Sequence, residues 1–258
     1  MHIATQRRKG TILTSSTGRP AATHNSDKSL PIDLIAASIQ AQRFLGVIMF
    51  FTPGTHLQSG LSHNPLKAIV SPRPIGWISS KGSDGSVNLA PYSYFNAISE
   101  QPPMVMFSSA PGGNTSKDSL RNVMETKEFV VNVVSAALGD AMNVSSGSFP
   151  YGTNEFDKAG LEMATCETVS VPRVKAAPAA LECCLWQAIE MPAPNNEHEN
   201  GFDNIRASTM VIGTITGVHI ADDVIVDGKV DVAAYQPLAR LGYMDYAQIS
   251  ELFAMQRP

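Results

Sequence analysis

Residues 71–96 read SPRPIGWISSKGSDGSVNLAPYSYFN and predict two β-strands joined by a tight turn. Residues 75–80 and 87–95 have strand composition, and residues 81–86 between them are dense in turn formers. Residues 68–71, just upstream, are apolar and β-branched, so we expect them to be extended as well. The stretch therefore predicts an antiparallel hairpin near the start of the folded region.

Further short strands are predicted downstream of this hairpin. They are residues 104–107, 129–134, 181–191, 210–220 and 224–226. Asp227-Gly228, after the last strand, is a favoured tight-turn pair. Helix composition is found at residues 116–127, and we expect residues 246–255 to form a closing helix. This order predicts a mainly β fold with a few helices, a Greek-key-like antiparallel barrel rather than a doubly wound sheet.

The composition excludes several classes of protein. The chain has 258 residues, 43% of them hydrophobic, and its 19 basic and 23 acidic residues give a formal net charge of −4. Without a global positive field, we expect no nucleic-acid or lipid-surface partner. No apolar stretch of about 20 residues is uninterrupted, so no membrane span is predicted. Three cysteines are too few for a disulfide framework, so we expect a cytoplasmic protein. Cys183 and Cys184 are neighbours in a predicted strand, so we expect them to pack on its opposite faces.

The first 48 residues differ from the rest of the chain. Residues 1–48 carry six basic and two acidic side chains, whereas residues 49–258 carry 13 basic and 21 acidic ones. The leading segment lacks apolar periodicity, so we expect a disordered or weakly ordered extension before a domain at residues 49–258. An organellar targeting role is the alternative for this segment. Met49 is available as a second start.

A glycine-rich turn joins a predicted strand to a predicted helix at residues 107–120, FSSAPGGNTSKDSL. A helix start with free N–H groups, hydroxyls and one ammonium is suited to a phosphate. The alternative is an ordinary capped helix, for which Thr115 or Ser116 would be a good N-cap. The residues alone do not decide between the two.

Small polar residues alternate with large aromatic ones in residues 71–80 and 88–96. This mixture suits a planar heterocycle that needs stacking surface and edge hydrogen bonds, although by pattern alone it could equally be core. The sequence carries no motif for a side-chain nucleophile or a phosphate-binding P-loop, and its histidines do not follow metal-ligand spacings. We therefore expect no metal and no catalytic side chain.

Together with residues 154–161 (NEFDKAGL) and 237–246 (PLARLGYMDY), these blocks resemble the flavin reductase-like proteins that have an FMN-binding split barrel. The resemblance runs from about Met49 to the C-terminus. It implies a homodimer that holds FMN near the subunit interface. It assigns the ring contacts to Trp77, Ile78, Ser79, Ser80, Asn88, Leu89, Ala90, Pro91, Tyr92, Ser93 and Phe95, continued by Ser108 and Ser109. It assigns the ribityl phosphate to Lys117, Asp118 and Ser119.

The resemblance also implies an oxidoreductase, an NAD(P)H-dependent flavin reductase that oxidises NADH or NADPH and supplies an acceptor protein. Flavin N5 accepts the hydride, so no general base is needed. The alternatives are a flavoredoxin-like electron carrier and an FMN-binding module without turnover. His219 would either face the nicotinamide or be structural. Arg240 would contact flavin or brace the barrel, beside Tyr243, which replaces a frequent glycine of the family.

Overall fold

The computed structural model describes residues 48–110, 117–192 and 207–257. Its first elements are α1 (Leu66–Ile69), β1 (Arg73–Pro74), β2 (Gly76–Lys81), β3 (Val87–Tyr92), β4 (Phe95–Glu100), β5 (Pro103–Ser109), α2 (Asp118–Thr126), β6 (Glu128–Val133), α3 (Gly139–Val144) and α4 (Glu155–Ala159). The remaining elements are β7 (Met163–Ala164), β8 (Arg173–Val174), β9 (Ala179–Glu190), β10 (Thr209–Ile220), β11 (Ile225–Val226), β12 (Lys229–Val230), α5 (Val232–Tyr235), β13 (Leu238–Arg240) and β14 (Tyr246–Gln248). Short 3₁₀ turns lie at Ala136–Leu138 and Asp222–Val224.

Seven strands form one antiparallel sheet in the order β3-β2-β6-β9-β10-β5-β4. Six of them contribute to a single buried cluster that includes Ile78, Tyr92, Phe107, Phe129 and Val211. The Tyr92 and Phe107 rings, from strands far apart in the sheet order, lie 4.8 Å apart. The sheet therefore curls around one apolar interior, which confirms the prediction of a mainly β antiparallel barrel.

A second apolar cluster covers the other face of β2 and β3. Trp77 and Leu89 pack there against Met142 of α3 and Phe156 of α4. Since α3 and α4 lie on this face, the chain between them is brought beside the end of β3. This packing positions residues 145–149 and Glu155 next to the end of β3.

The predicted hairpin is confirmed by the register of β2 and β3, in which Gly76 pairs with Tyr92 and Lys81 with Val87. The Asp227-Gly228 turn is confirmed too, because β11 and β12 pair across it. Both turn residues have positive φ, as a two-residue hairpin turn of this kind requires. The cysteine prediction also holds, since Cys183 lies in the barrel interior and Cys184 packs on the outer face.

Residues 68–71 were expected to be extended, and this is wrong because residues 66–69 form the single turn α1. The Asn64 side chain accepts the Leu66 N–H at its start. At its end, the Arg73 guanidinium donates to the carbonyls of Lys67 and Val70. Side chains outside the turn thus satisfy backbone groups that a four-residue helix leaves unpaired.

The predicted closing helix over residues 246–255 is also wrong. Residues 246–248 form β14, which pairs with β13, and the rest of the stretch has no regular structure. The Arg240 guanidinium lies 4.3 Å from the Tyr246 ring centroid and fixes this pairing further.

The expectation of a weakly ordered extension at residues 1–48 lies outside the described residues, apart from Ile48. In the part of the chain that the structure describes, no helix is long and apolar enough to cross a membrane.

Candidate functional site

A cleft of about 320 Å³ opens between the end of β3, the start of α2 and the chain that follows α3. Its walls are Asn88, Ala90, Pro91, Tyr92, Lys117, Asp118, Ser119, Ser145, Ser146, Gly147, Ser148, Phe149 and Glu155. The first seven of these belong to the predicted flavin-binding set. The structure therefore brings the predicted phosphate residues and part of the predicted ring-binding block to one place.

Buried hydrogen bonds hold the start of α2 against the hairpin. The Ser119 hydroxyl donates to Asn88 Oδ1 at 2.6 Å. One turn later, Asn122 Nδ2 donates to Ser80 Oγ at 3.2 Å. Because Ser119, Asn88 and Asn122 are all buried, these contacts fix the position of the helix start relative to β3.

The N-terminus of α2 offers donors to the cleft. Lys117 is the N-cap residue, and its side chain makes no capping hydrogen bond. The N–H groups of the first turn have no acceptor within the helix, and the helix dipole favours negative charge there. Among the described residues, Lys117 has no salt-bridge partner, whereas Asp118 binds Arg121 at 2.8 Å. The arrangement suits an anion. The predicted caps, Thr115 and Ser116, lie outside the described residues.

Residues 145–149 form a wall that the sequence analysis did not identify. Ser145 Oγ accepts from Trp77 Nε1 at 2.9 Å and donates to the Met142 carbonyl. This buried pair ties the serine and glycine run to β2. The run SSGS is visible in the sequence, but only the tertiary contact with Trp77 shows that it faces the same cleft.

Two buried polar groups lie at the floor of the cleft. The Glu155 carboxylate accepts the Leu89 N–H at 2.9 Å, and burial raises the pKa of Glu155 above its ordinary value. Burial likewise raises the pKa of Tyr92, whose hydroxyl finds no hydrogen-bond partner among the described residues. A polar ligand in the cleft would satisfy such a group.

Five predicted ring-binding residues do not line the cleft with their side chains. Trp77, Ile78 and Leu89 are fully buried in the two apolar clusters. Ser79 Oγ donates to the Pro172 carbonyl, and Ser80 Oγ accepts from Asn122. Both faces of β2 are covered by protein, so these side chains are part of the core, which was the alternative to ligand binding.

Ser93, Phe95, Ser108 and Ser109 also lie outside the walls of the cleft. Phe95 and Ser108 belong to the paired strands β4 and β5, and the Phe95 ring covers Gly76 so closely that a Cβ there would lie 2.5 Å from it. Ser109 is buried, and its hydroxyl has no partner within the described residues. In the single chain, these residues form a region next to the cleft rather than part of it.

His219 and Arg240 also lie apart from the cleft walls. His219 Nε2 lies 2.5 Å from Glu182 Oε1. Arg240 donates to the Tyr243 carbonyl and stacks on Tyr246, so its described contacts are bracing ones. Tyr243 has a φ of 53°, in the left-handed region that favours glycine.

A family model described as the flavin reductase like domain matches residues 70–238. The chain belongs to this family. An uncharacterized protein of Aquifex aeolicus is 36% identical over 182 residues, which cover 70% of this chain and 86% of that protein. Bacillus subtilis YwrF is 30% identical over 216 residues, which cover 81% of this chain and all of the relative. The resemblance inferred from the sequence is thereby confirmed.

Solved structures of flavin reductase-like proteins share the fold. Nitrilotriacetate monooxygenase component B from Bacillus cereus superposes with a TM-score of 0.71 at 28% identity, over 81% of this chain and all of that one. The 2-nitrobenzoate 2-nitroreductase NbaA of Pseudomonas fluorescens gives 0.66 at 28% identity, over 82% and 96%. A Shewanella frigidimarina structure with a split barrel domain gives 0.65 at 19% identity, over 82% and 100%. The chain is thus a split-barrel, flavin-related oxidoreductase.

Proposed function

We propose that the chain binds FMN with its phosphate in the cleft at the start of α2 and acts as an NAD(P)H-dependent flavin reductase. The observation that carries the proposal is the meeting of the Lys117 ammonium and the first-turn N–H groups of α2, the Ser119 N–H among them, beside the end of β3. These are the donors that a phosphate dianion prefers.

The two carboxylates of the cleft do not oppose this assignment. Asp118 is engaged by Arg121, so its charge is balanced locally. Glu155 accepts the Leu89 N–H, and burial raises its pKa above the ordinary value. Ser148 adds a further hydroxyl to the lining. The cleft therefore offers an incoming phosphate the Lys117 ammonium together with the N–H groups of the helix start.

Each group of residues has a distinct part in this proposal. Lys117 and Ser119 hold the phosphate, and Ala90, Pro91 and Tyr92 support the part of the flavin that leaves the cleft along β3. Bound FMN would supply the hydride-accepting chemistry, and the protein supplies position and exclusion of water. The chain's residues need not act as acid or base.

A second copy of the chain and a separate acceptor complete the proposal. Large apolar side chains are exposed on three strands, with Ile98, Trp186 and Val218 each about half exposed or more. This supports a homodimer that closes the flavin site, and size-exclusion chromatography with light scattering tests it.

The Bacillus cereus relative is by its name one component of a monooxygenase, which supports transfer of reduced flavin to another protein.

The direct test is anaerobic mixing of the FMN-loaded protein with NADH and, separately, with NADPH while the oxidised flavin absorbance is followed. We expect at least one nucleotide to bleach the flavin within seconds. Dithionite in a parallel sample establishes that the bound flavin can be reduced at all. Reduction by dithionite and by neither nucleotide would overturn the reductase proposal in favour of the flavoredoxin-like carrier.

A further inference from the structure

Three potential metal ligands meet on the outer face of the barrel. The Cys166 thiol, a Glu182 carboxylate oxygen and a His219 ring nitrogen all lie within 4.8 Å of one another. Glu182 belongs to β9 and His219 to β10, whereas Cys166 lies in the segment between β7 and β8. None of the three lines the cleft described above. Because the ligands come from three separate segments, no spacing in the sequence reveals them.

Hydrogen bonds from the backbone and from a hydroxyl hold the Glu182 carboxylate in place. Its oxygens accept the N–H groups of Glu167 and Thr168 and the Thr168 hydroxyl. Thr168 Oγ1 also lies 2.6 Å from Thr216 Oγ1 of β10. Such hydrogen bonds to a carboxylate orient it toward a metal and are a regular feature of metal sites. Side-chain exposure is 1% for Glu182 and 23% for His219, so the cluster is accessible from the histidine side.

The donor set matches zinc. Sulfur, nitrogen and carboxylate oxygen are its usual ligands, at about 2.3, 2.0–2.1 and 2.0–2.2 Å. The two negative charges of one thiolate and one carboxylate equal the positive charge of Zn²⁺, so the buried site would be neutral. The ion would take the place of the hydrogen bond between His219 and Glu182. Their 2.5 Å separation would open by about 1 Å, since ligands of a tetrahedral zinc lie roughly 3.4 Å apart at these bond lengths.

We propose that Cys166, Glu182 and His219 bind one Zn²⁺ ion with a water molecule as the fourth ligand. The ion links the segment that contains Cys166 to strands β9 and β10 and thereby stabilises the outer face of the barrel. The site is independent of flavin binding, so its test does not depend on the proposed reductase activity.

The experiment treats the purified full chain with a chelator, removes the chelator and titrates Zn²⁺ against a chromophoric competitor. We expect one high-affinity zinc per chain. Cys166→Ser and His219→Gln should each weaken this binding by at least ~100-fold, because loss of even a partner behind a ligand costs 10- to 100-fold. Cys184→Ser and His63→Gln are matched controls, since neither residue belongs to the cluster, and both should bind zinc as the unmodified chain does.

Cobalt provides a readout specific to the thiolate. Co²⁺ added to the chelator-treated protein should give an intense sulfur-to-cobalt charge-transfer band, present in Cys184→Ser and absent in Cys166→Ser. Zinc at a hundredfold excess over its Kd should raise the Tm by about 5–10 °C, in the control variant but not in Cys166→Ser. The proposal is overturned if no high-affinity zinc binds, or if the zinc that binds is insensitive to Cys166→Ser.

Discussion

Lys117 is the cation that the proposed phosphate site presents at the start of α2, and no described carboxylate neutralises it. Lys117→Ala should weaken FMN binding by about 10- to 100-fold, the value of one charge-assisted contact. Riboflavin, which has no phosphate, should bind the variant as it binds the unmodified protein. Fluorescence titration with both ligands measures the two affinities.

The matched control for this experiment is Lys158→Ala, which removes an exposed lysine of α4 that does not line the cleft. If Lys117→Ala weakened the binding of FMN and riboflavin equally, the lysine would contact the flavin ring or support the fold. No weakening of either would place the phosphate elsewhere.

Glu155 makes stability depend on pH. Burial raises its pKa, so the folded state binds the proton more tightly than the unfolded state, and stability falls as pH rises through the raised pKa. Glu155→Gln keeps an oxygen for the Leu89 N–H and removes the charge. In the absence of flavin, the variant should melt at a higher temperature than the unmodified protein at pH 8.

Toward pH 5 this difference in Tm should shrink, because the raised pKa lets Glu155 take up a proton sooner than an exposed glutamate as the pH falls. Scanning calorimetry of both proteins at pH 5 and pH 8 measures the difference in Tm. A Tm gap that is the same at both pH values would show that Glu155 does not titrate as described.

The individual site residues were predictable from the sequence only where they are contiguous. Lys117 and Ser119 stand together at a recognisable helix start, and the structure places both on the cleft. Ser145 and Phe149 depend on the packing of α3 beneath β2, which local pattern does not encode. Trp77 was predicted from its polar neighbours, and its ring is fully buried, so a flavin contact of this residue stays a prediction.

At the level of elements, the strands were predicted well because alternation of apolar and polar residues is a local property. The β9 and β10 strands and the Asp227-Gly228 turn follow their patterns closely. α1 was missed because two carbonyls at its end are satisfied by the Arg73 side chain, which lies outside the turn and does not figure in the composition of residues 68–71. The chain end was mistaken for a helix because the pairing of β14 with β13 is not visible in the composition.

The turn between β13 and β14 provides a test at this scale. Tyr243 has positive φ, a conformation that costs most L-residues roughly 1–2 kcal/mol. Tyr243→Gly should therefore be more stable than Tyr243→Ala by about 1 kcal/mol, since both lose the ring contact with His63 and only glycine relieves the backbone. Chemical denaturation of both variants measures the difference. Equal stabilities would mean that the turn relaxes without cost.

Considered as a whole, residues 51–258 form one compact unit that contains both the barrel and the cleft. The sequence predicted this architecture because the barrel needs only the order and spacing of short strands. It did not predict the Cys166, Glu182 and His219 cluster, which exists only after β9 and β10 pair and the chain after β7 covers them.

Deletion of residues 1–48 should leave the fold and the flavin affinity intact, because that segment lacks the apolar periodicity of a packing element. The Tm of the shortened protein with FMN should lie within about 2–4 °C of that of the full chain. A larger fall would mean that the segment packs on the barrel.

The measurement that tests the central claim most directly is a crystal structure of the full chain with FMN. The phosphate should lie within hydrogen-bond distance of Lys117 Nζ and the first N–H groups of α2, that of Ser119 among them, with the flavin leaving the cleft along Ala90 to Tyr92. A flavin bound with its phosphate away from this helix start, or a crystal that takes up no FMN at saturating concentration, would contradict the account.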